Sequence, residues 1–422
     1  MRVMVEPVIY HIDVNSAFLS WEASYRIHEL GDTLDLRTIP SAVGGSEEQR
    51  HGIVLAKSTA AKRFGVRTGE PLVSARRKCP ELIIVPPNFD LYVRNSRAFI
   101  ALLKQYAPVV EQFSIDEAFC DMTGTELLYG SPVEFAHTLK DIISSRLGFT
   151  VNVGISSNKL LAKTASDFEK PDRVHTLFPE EMPQKFWPLP VSELLFAGRS
   201  SFKVFQHLGI KTIGDLATSD RRLIVSHLGK HGGQLWDYAN GLDSDPVSEL
   251  VPANKGYGNS QTIPFDVTDR DTALRFILSL SETVGVRIRA DGAHISTISV
   301  SIVDYEFHHS SRQMTLSSTT NTTETIYQSA CTLFDQLWDG TPIRQLGVHT
   351  SHATDTAYEQ YDLFNPRRSE KMTKLNAAVD SIRTRYGEDS LKRACFVGSA
   401  EDHMSQGLNK AKRIDNSMEV TS

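Results

Sequence analysis

Cysteine is scarce in this 422-residue chain: four residues, Cys79, Cys120, Cys331 and Cys395, lie far apart and form no CxxC. That excludes a zinc ribbon and a disulfide framework, and the four are expected to be reduced and structural. His349 and His352 have HxxH spacing without a cysteine pair or a neighbouring glutamate, so metal binding is not expected there. No apolar run approaches the ~20 residues of a membrane span, and Met1 to Glu6 shows no basic region followed by an apolar signal core. No membrane partner and a cytoplasmic address are the expectation. A surplus of basic charge is missing too: 45 Lys and Arg face 51 Asp and Glu, a net charge of −6. This argues against a protein that coats nucleic acid nonspecifically.

What is present is a globular composition, 40% hydrophobic and 23% charged, which excludes disorder of the whole chain. At ~150 residues per domain the length suggests about three domains. Charge is uneven. Between Lys57 and Lys104 ten basic residues stand against Glu70, Glu81 and Asp90, a local bias suited to a polyanion such as phosphate.

Hydrophobic patterning gives the organisation. The β-favouring run Val8 to Ile12 ends at Asp13, ahead of a helical pattern through Phe18, Leu19, Trp21, Glu22 and Ala23. Val109 to Phe113 and Ala118 to Met122 read as strands of a hairpin with Asp116 and Glu117 at its tip. Val151 to Ile155 reads as a strand leading through Ser156, Ser157 and Asn158 into a helix from Lys159 to Phe168, stopped by Pro171. Together these imply an α+β sheet domain. Leu194 to Ala217 and Leu223 to Gly241 read as two helix, hairpin, helix units, the second with Gly229, Gly232 and Gly233 at its turn. Such units can aim turn amides at phosphates, or are simply a small helical domain. Pro252 to Gly258 reads as a linker. Beyond it, strands Ile295 to Val303, Gln313 to Ser317 and Gln345 to His352 interleave with helices Thr272 to Asp291 and Thr323 to Trp338, a further α+β domain. Pro366 to Tyr386 reads as a polar helix, and the tail after Glu401 as disordered.

Three carboxylates, Asp13, Asp116 and Glu117, thus come from two strand ends, beside a basic wall. Mg²⁺ takes one or two protein carboxylates and leaves its other positions to water and substrate phosphate, so this set suffices for two ions. An Asp-Glu pair alone is more often a cap or a solvated turn, and the flanks carry the distinction.

Those flanks are HIDVNSAFLSWEA from His11 to Ala23, AKRFGVRTGEP from Ala61 to Pro71, FSIDEAFCDMTG from Phe113 to Gly124, VGISSNKLLAKTASDFEKP from Val153 to Pro171 and LGIKTIGDLA from Leu208 to Ala217. In this order they resemble the Y-family translesion DNA polymerases of the bacterial polymerase IV and polymerase V type, over roughly residues 7 to 365. The resemblance implies an α+β, multidomain right-hand polymerase: a palm of residues 1–17 and 87–179, small fingers at 18–86 and a thumb at 180–251. A linker at 252–258, a little finger at 259–358 and a C-terminal region at 359–422 complete it.

It further implies that Asp13 and Asp116 hold two Mg²⁺ ions, that Glu117 completes one of them and that Val14 adds a backbone carbonyl. Lys62 and Lys163 would contact the triphosphate, and Phe18 would be the steric gate that excludes ribonucleotides. Val43, Ile53 and Leu55 would lie near the nascent base pair, and Gly198, Gly209 and Gly232 would approach the DNA backbone. Three positions depart from the family pattern: Thr59 stands where many members have tyrosine, Asn15 replaces a second aspartate and is not counted as a ligand, and Phe196 replaces a thumb glycine.

Gln360, Leu363 and Phe364 form QxxLF, which resembles the peptide by which bacterial polymerases dock on the sliding clamp, with Leu and Phe filling an apolar pocket. The partners implied are primer-template DNA, deoxynucleoside triphosphates and that clamp, with the chain a monomer. The absence of a proofreading motif implies error-prone synthesis. Two rival readings stand beside this one: a nucleotide cyclase, which also sets paired acids on a palm-like sheet, and a clamp-bound DNA scaffold with a decayed site.

Overall fold

The computed structural model describes residues 6–46, 50, 52–356, 366–398 and 401–404. The chain divides into two units, one of Met1–Gly45 with Ile53–Val251, the other of Ser46–Gly52 with Pro252–Ser422.

The first unit contains eight described strands: β1 (Ile9–Val14), β2 (Ser41–Gly44), β3 (Val54–Lys57), β4 (Ile83–Val85), β5 (Val109–Gln112), β6 (Glu117–Asp121), β7 (Val151–Ser156) and β8 (Val174–Thr176). Its main sheet runs β5-β6-β1-β7-β8. Both neighbours of β1 are antiparallel to it, whereas β7 and β8 are parallel. Every residue of β1 is buried, which explains its continuous apolar run: a central strand covered on both faces does not alternate. Tyr10, Ile12 and Val14 join a core with Trp21, Phe99, Leu103, Leu139 and Ile143 from the helices Ala17–His28, Phe89–Leu103 and Pro132–Leu147. The odd positions Ile9, His11 and Asp13 face the other way, by the two-residue period of a strand.

That second face is covered by the helix Lys159–Ser166. Asn158 caps it, its side chain accepting from the Leu161 amide at 2.9 Å, and Leu160, Leu161, Ala162 and Ala165 are buried beneath it. Gly154 of β7 permits the close approach. It lies in register with His11, and a Cβ there would collide with the Ala162 carbonyl and the Ser166 amide. Because backbone cannot swing aside as a side-chain tip can, Gly154→Ala is expected to lift this helix and cost roughly 1–3 kcal/mol or more, measured by urea unfolding. An unchanged midpoint would show that the helix does not rest on the sheet at this point.

A smaller sheet, β3-β2-β4, packs Ala42, Val54, Ala61, Val66, Leu72, Ala75 and Leu82 into its own core. Part of the basic run has a local origin here. Arg76, Arg77 and Lys78 end the helix Leu72–Lys78, and Lys62 and Arg63 end Thr59–Arg63, where cations complement the negative helix terminus.

Between residues 199 and 239 three helices, Arg199–His207, Ile213–Thr218 and Arg221–Ala239, enclose Phe205, Ile213, Leu216, Ile224 and Leu235. Thr212 and Asp215 form a capping box at the second. The third corrects the expected turn: only Gly229 breaks the helical path (φ 62°, ψ −147°). Gly232 and Gly233 lie buried within the helix, and a Cβ on Gly232 would meet the Ile224 carbonyl at 2.7 Å. Gly232 is a packing glycine, with no exposed backbone to offer to DNA.

The second unit has strands β9 (Gly258–Val267), β10 (Ile295–Asp304), β11 (His309–Thr320) and β12 (Ile343–Ser351), antiparallel in the order β11-β10-β12-β9. Ile298, Val300 and Ile302 pack beneath the helices Arg270–Ala290 and Thr323–Leu337. The polar helix Pro366–Tyr386 falls where the sequence places it. Arg383 of this helix donates to the buried Glu282 at 2.7 Å, Asp380 accepts from Arg289 at 2.6 Å, and the buried Asn376 accepts from the Thr323 amide at 3.2 Å; beyond the helix, Arg393 pairs with Glu282 and Glu324. Of the tail expected to be disordered, residues 402–404 are described and bury His403 and Met404; the rest lies outside the described residues. His349 and His352 bond to Ser301 at 3.2 Å and Thr297 at 3.0 Å, and all four cysteines are free. Among the described residues no helix is long and apolar enough to cross a membrane.

Candidate active site

Asp13 ends the apolar part of β1 and stands opposite Glu117, the first residue of β6. The Val14 amide donates to the Asp116 carbonyl at 3.0 Å, and the amides of Phe113 and Ser114 donate to the Glu117 carbonyl at 3.0 and 3.1 Å. These backbone bonds close the hairpin tip against β1 and bring the three acids to one end of the sheet. Val14 buries its side chain in the core, which leaves only its backbone for any ligand.

Each acid has its own partner. Asp13 is 8% exposed and accepts from the Lys170 ammonium, which also reaches Asp167 at 2.8 Å. Asp116 accepts from the Ser114 hydroxyl at 2.7 Å, and Glu117 from the Lys163 ammonium at 2.8 Å. Burial pushes Asp13 up to about 6 against the pull of Lys170, with Glu117 and Asp116 adding repulsion. Burial raises Asp116 as well, against the Ser114 hydrogen bond. For Glu117, burial also acts upward, but the close approach of His11 and the Lys163 ammonium outweigh it and hold the carboxyl at about 2. His11 itself is lowered by burial.

Among the described residues no three His, Cys, Asp or Glu side chains form a ready cage for a metal ion. A magnesium site needs no such cage, because water and phosphate supply most of its ligands. Two acids driven upward by burial and mutual repulsion are a donor set that favours a bound cation, so the residues present fit such an ion.

Lys62 is exposed, and its charge helps burial to lower Lys57 on β3, which marks an electropositive corner. Phe18 is half-buried on the helix Ala17–His28, its ring stacked on Tyr92 at 4.5 Å and 7°. Of the three residues expected near a base pair, Val43 is wholly buried and can present no side chain, Leu55 packs partly into the core, and Ile53 is exposed. Gly198 and Gly209 face open space, Gly209 with φ +75°. Phe196 has φ 65°, a left-handed backbone that favours glycine. Thr59 is exposed at the start of its helix. Asn15 spends its side chain on Thr150, Asn152 and the Asp172 amide, a structural clasp. Gln360, Leu363 and Phe364 lie outside the described residues.

Sequence reasoning missed Lys170, His11 and Ser114. The first had no periodic signal beyond the Lys-Pro pair that closes its block; the other two each precede an acid by two residues.

The impB/mucB/samB family model matches residues 12–167, and the C-terminal domain model of the same family matches residues 254–363. DNA polymerase IV of Clostridium acetobutylicum is 41% identical over 394 residues, covering 93% of this chain and 99% of that protein. DNA polymerase IV of Acetivibrio thermocellus is 37% identical, covering 96% and 99%. DNA polymerase IV 2 of Bacillus subtilis is 35% identical, covering 98% and 99%. Among solved structures, a Y-family DNA polymerase chimera, Dbh-Dpo4(243-245)-Dbh, superposes with a TM-score of 0.71 at 21% identity, covering 83% of this chain and all of that one. The fold is α+β and similar to that of a Y-family DNA polymerase. The chain belongs to the impB/mucB/samB family, the Y-family translesion DNA polymerases, and is a DNA-directed DNA polymerase.

Proposed function

We propose that the chain adds deoxynucleotides to a primer 3′ end in error-prone synthesis across damaged templates during DNA repair and the SOS response. Asp13, Asp116 and Glu117 would hold two Mg²⁺ ions, with the Val14 carbonyl as a further ligand. When bound, such ions supply charge stabilisation to the attacking and leaving oxygens of an in-line phosphoryl transfer. The observation that carries the reading is the joining of three acids at one sheet end beside two ammonium groups, Lys163 and Lys170.

The protein's own part is positioning. Lys163, Lys170 and Lys62 act as point charges for triphosphate oxygens, and Phe18 closes the space beneath the sugar. Residues 1–17 and 87–179 serve as palm, 18–86 as fingers, 180–251 as thumb and 259–358 as little finger. Gly198 and Gly209 offer open turns to the DNA backbone. The deciding experiment is primer extension by the purified chain with Mg²⁺ and all four deoxynucleotides. Template-directed products support the reading; a cyclic nucleotide product would make it a cyclase, and inactivity with retained DNA binding a scaffold.

Clamp docking through Gln360, Leu363 and Phe364, by a monomer in the cytoplasm, completes the proposal. A clamp raises the effective concentration of enzyme at the primer end without adding catalytic contacts. Leu363→Ala with Phe364→Ala is therefore expected to leave clamp-free extension intact and to remove stimulation by a loaded bacterial clamp, on the order of 10²-fold. Persistent stimulation would mean that docking uses another surface.

A further inference from the structure

The buried imidazole behind Glu117 has no role in the mechanism above. His11 is 0% exposed and lies on the same face of β1 as Asp13. Its register partner is Phe119, which makes Glu117 its diagonal neighbour across the strand pair. Its Nδ1 is 2.7 Å from the Ser166 Oγ. The same hydroxyl lies 2.8 Å from the Lys163 carbonyl, so Ser166 ties the ring to the backbone of the helix above it. The ring is thereby fixed in one orientation, and Nε2 faces Glu117 Oε2 at 3.4 Å without forming a hydrogen bond. Phe119 and Phe113 flank the ring at 4.7 and 6.5 Å.

The geometry points to His11 as a positioning residue: a wall, anchored by Ser166, that stops Glu117 from folding back onto the sheet and keeps its carboxylate turned toward Lys163 and the metal site. This rests on the reading of Glu117 as an acid that holds metal. The support reaches one strand further. Gly154 sits opposite His11, and its missing Cβ lets the helix Lys159–Ser166 descend far enough for Ser166 to touch the ring. A chain of contacts thus runs from Gly154 through Ser166 and His11 to Glu117. A bulky apolar residue would fill the same volume but could not be pinned by the Ser166 hydroxyl.

The test is Mn²⁺ affinity, read by electron paramagnetic resonance of free Mn²⁺, in the ternary complex with a dideoxy-terminated primer-template and the next deoxynucleotide, alongside melting of the metal-free protein. His11→Ala is expected to weaken Mn²⁺ binding on the order of 10-fold, the size found when groups that orient metal ligands are removed. His11→Gln, whose amide reaches the Nε2 position, should restore most of that loss. Ser166→Ala should weaken binding in the same direction by less. A lowered melting temperature with Mn²⁺ affinity unchanged in His11→Ala would overturn the inference, because it would make His11 packing alone. Glu117→Ala separates the two levels: if it too leaves Mn²⁺ affinity unchanged, the reading of Glu117 fails, whereas weakened binding there with none in His11→Ala defeats only the role of His11. Should His11→Ala not fold, Ser166→Ala decides, weakened binding supporting the anchor and unchanged binding overturning it.

Discussion

Replacing Asp116 or Glu117 with alanine is expected to abolish primer extension while DNA binding survives. A metal ion stabilises the transition state of phosphoryl transfer by several kcal/mol, and each ~1.4 kcal/mol is tenfold in rate, so losing an acid that holds one lowers kcat by roughly three orders of magnitude or more. The two variants are not equivalent. Asp116 bonds to the neutral Ser114 hydroxyl, so its removal leaves no charge without a partner. Glu117 neutralises Lys163, whose side chain is only 13% exposed, and Glu117→Ala strands that ammonium. Glu117→Gln keeps a hydrogen-bond acceptor for Lys163 while removing the negative charge, and it should be as inactive as the alanine variant but more stable. DNA affinity is expected to rest on lysines and arginines away from these acids and to fall steeply with salt in the variants as in the native protein. Substantial extension by both Asp116→Ala and Glu117→Gln would defeat the assignment of these acids.

The legible part of the fold is the part whose residues serve one purpose. The apolar run of β1, the hairpin around Asp116 and Glu117, and the helix that starts at Lys159 each point to one local structure, and each occurs. The sheet β3-β2-β4 was not legible. Its strands span four, four and three residues, too short for a period of two to declare itself, and β2 is Ser-Ala-Val-Gly. Pro264 and Asn259 hide β9 in the same way, being poor strand formers held by their neighbours in the sheet. Glycine misled for a different reason. It serves both turns and close approaches, and only the structure separates Gly229, which turns the chain, from Gly232, which lets Ile224 approach. At the site, spacing found the acids because strand ends present them, but it could not find Lys170 or the contact of Ser166 with His11, which depend on how one helix lies across the sheet.

Phe18→Ala is expected to admit ribonucleotides, and the surroundings of the ring say why the native residue would not. Phe18 lies five residues beyond Asp13, after the left-handed turn at Ser16 (φ 49°) that starts its helix. Its ring is stacked on the wholly buried Tyr92 at 4.5 Å and meets the edge of Phe89 at 6.2 Å. A ring backed in this way cannot retreat, so a 2′ hydroxyl pressed against it suffers the cost of overpacking, about 1–3 kcal/mol. Removing the ring should therefore lower the preference for deoxynucleotides over ribonucleotides, measured as the ratio of kcat/KM values, by roughly 10- to 100-fold. Deoxynucleotide use itself should change little, since a substrate that lacks the 2′ hydroxyl does not need the space the ring leaves. Some stability is lost as well, by less than the ~3–5 kcal/mol of a fully buried Phe→Ala change, because Phe18 is half-buried. Tyr92→Leu provides the matching control: it withdraws the support while leaving the ring, and selectivity should fall by less than in Phe18→Ala. A folded Phe18→Ala protein with an unchanged ratio would make the ring ordinary packing against Tyr92 and place sugar discrimination on another residue.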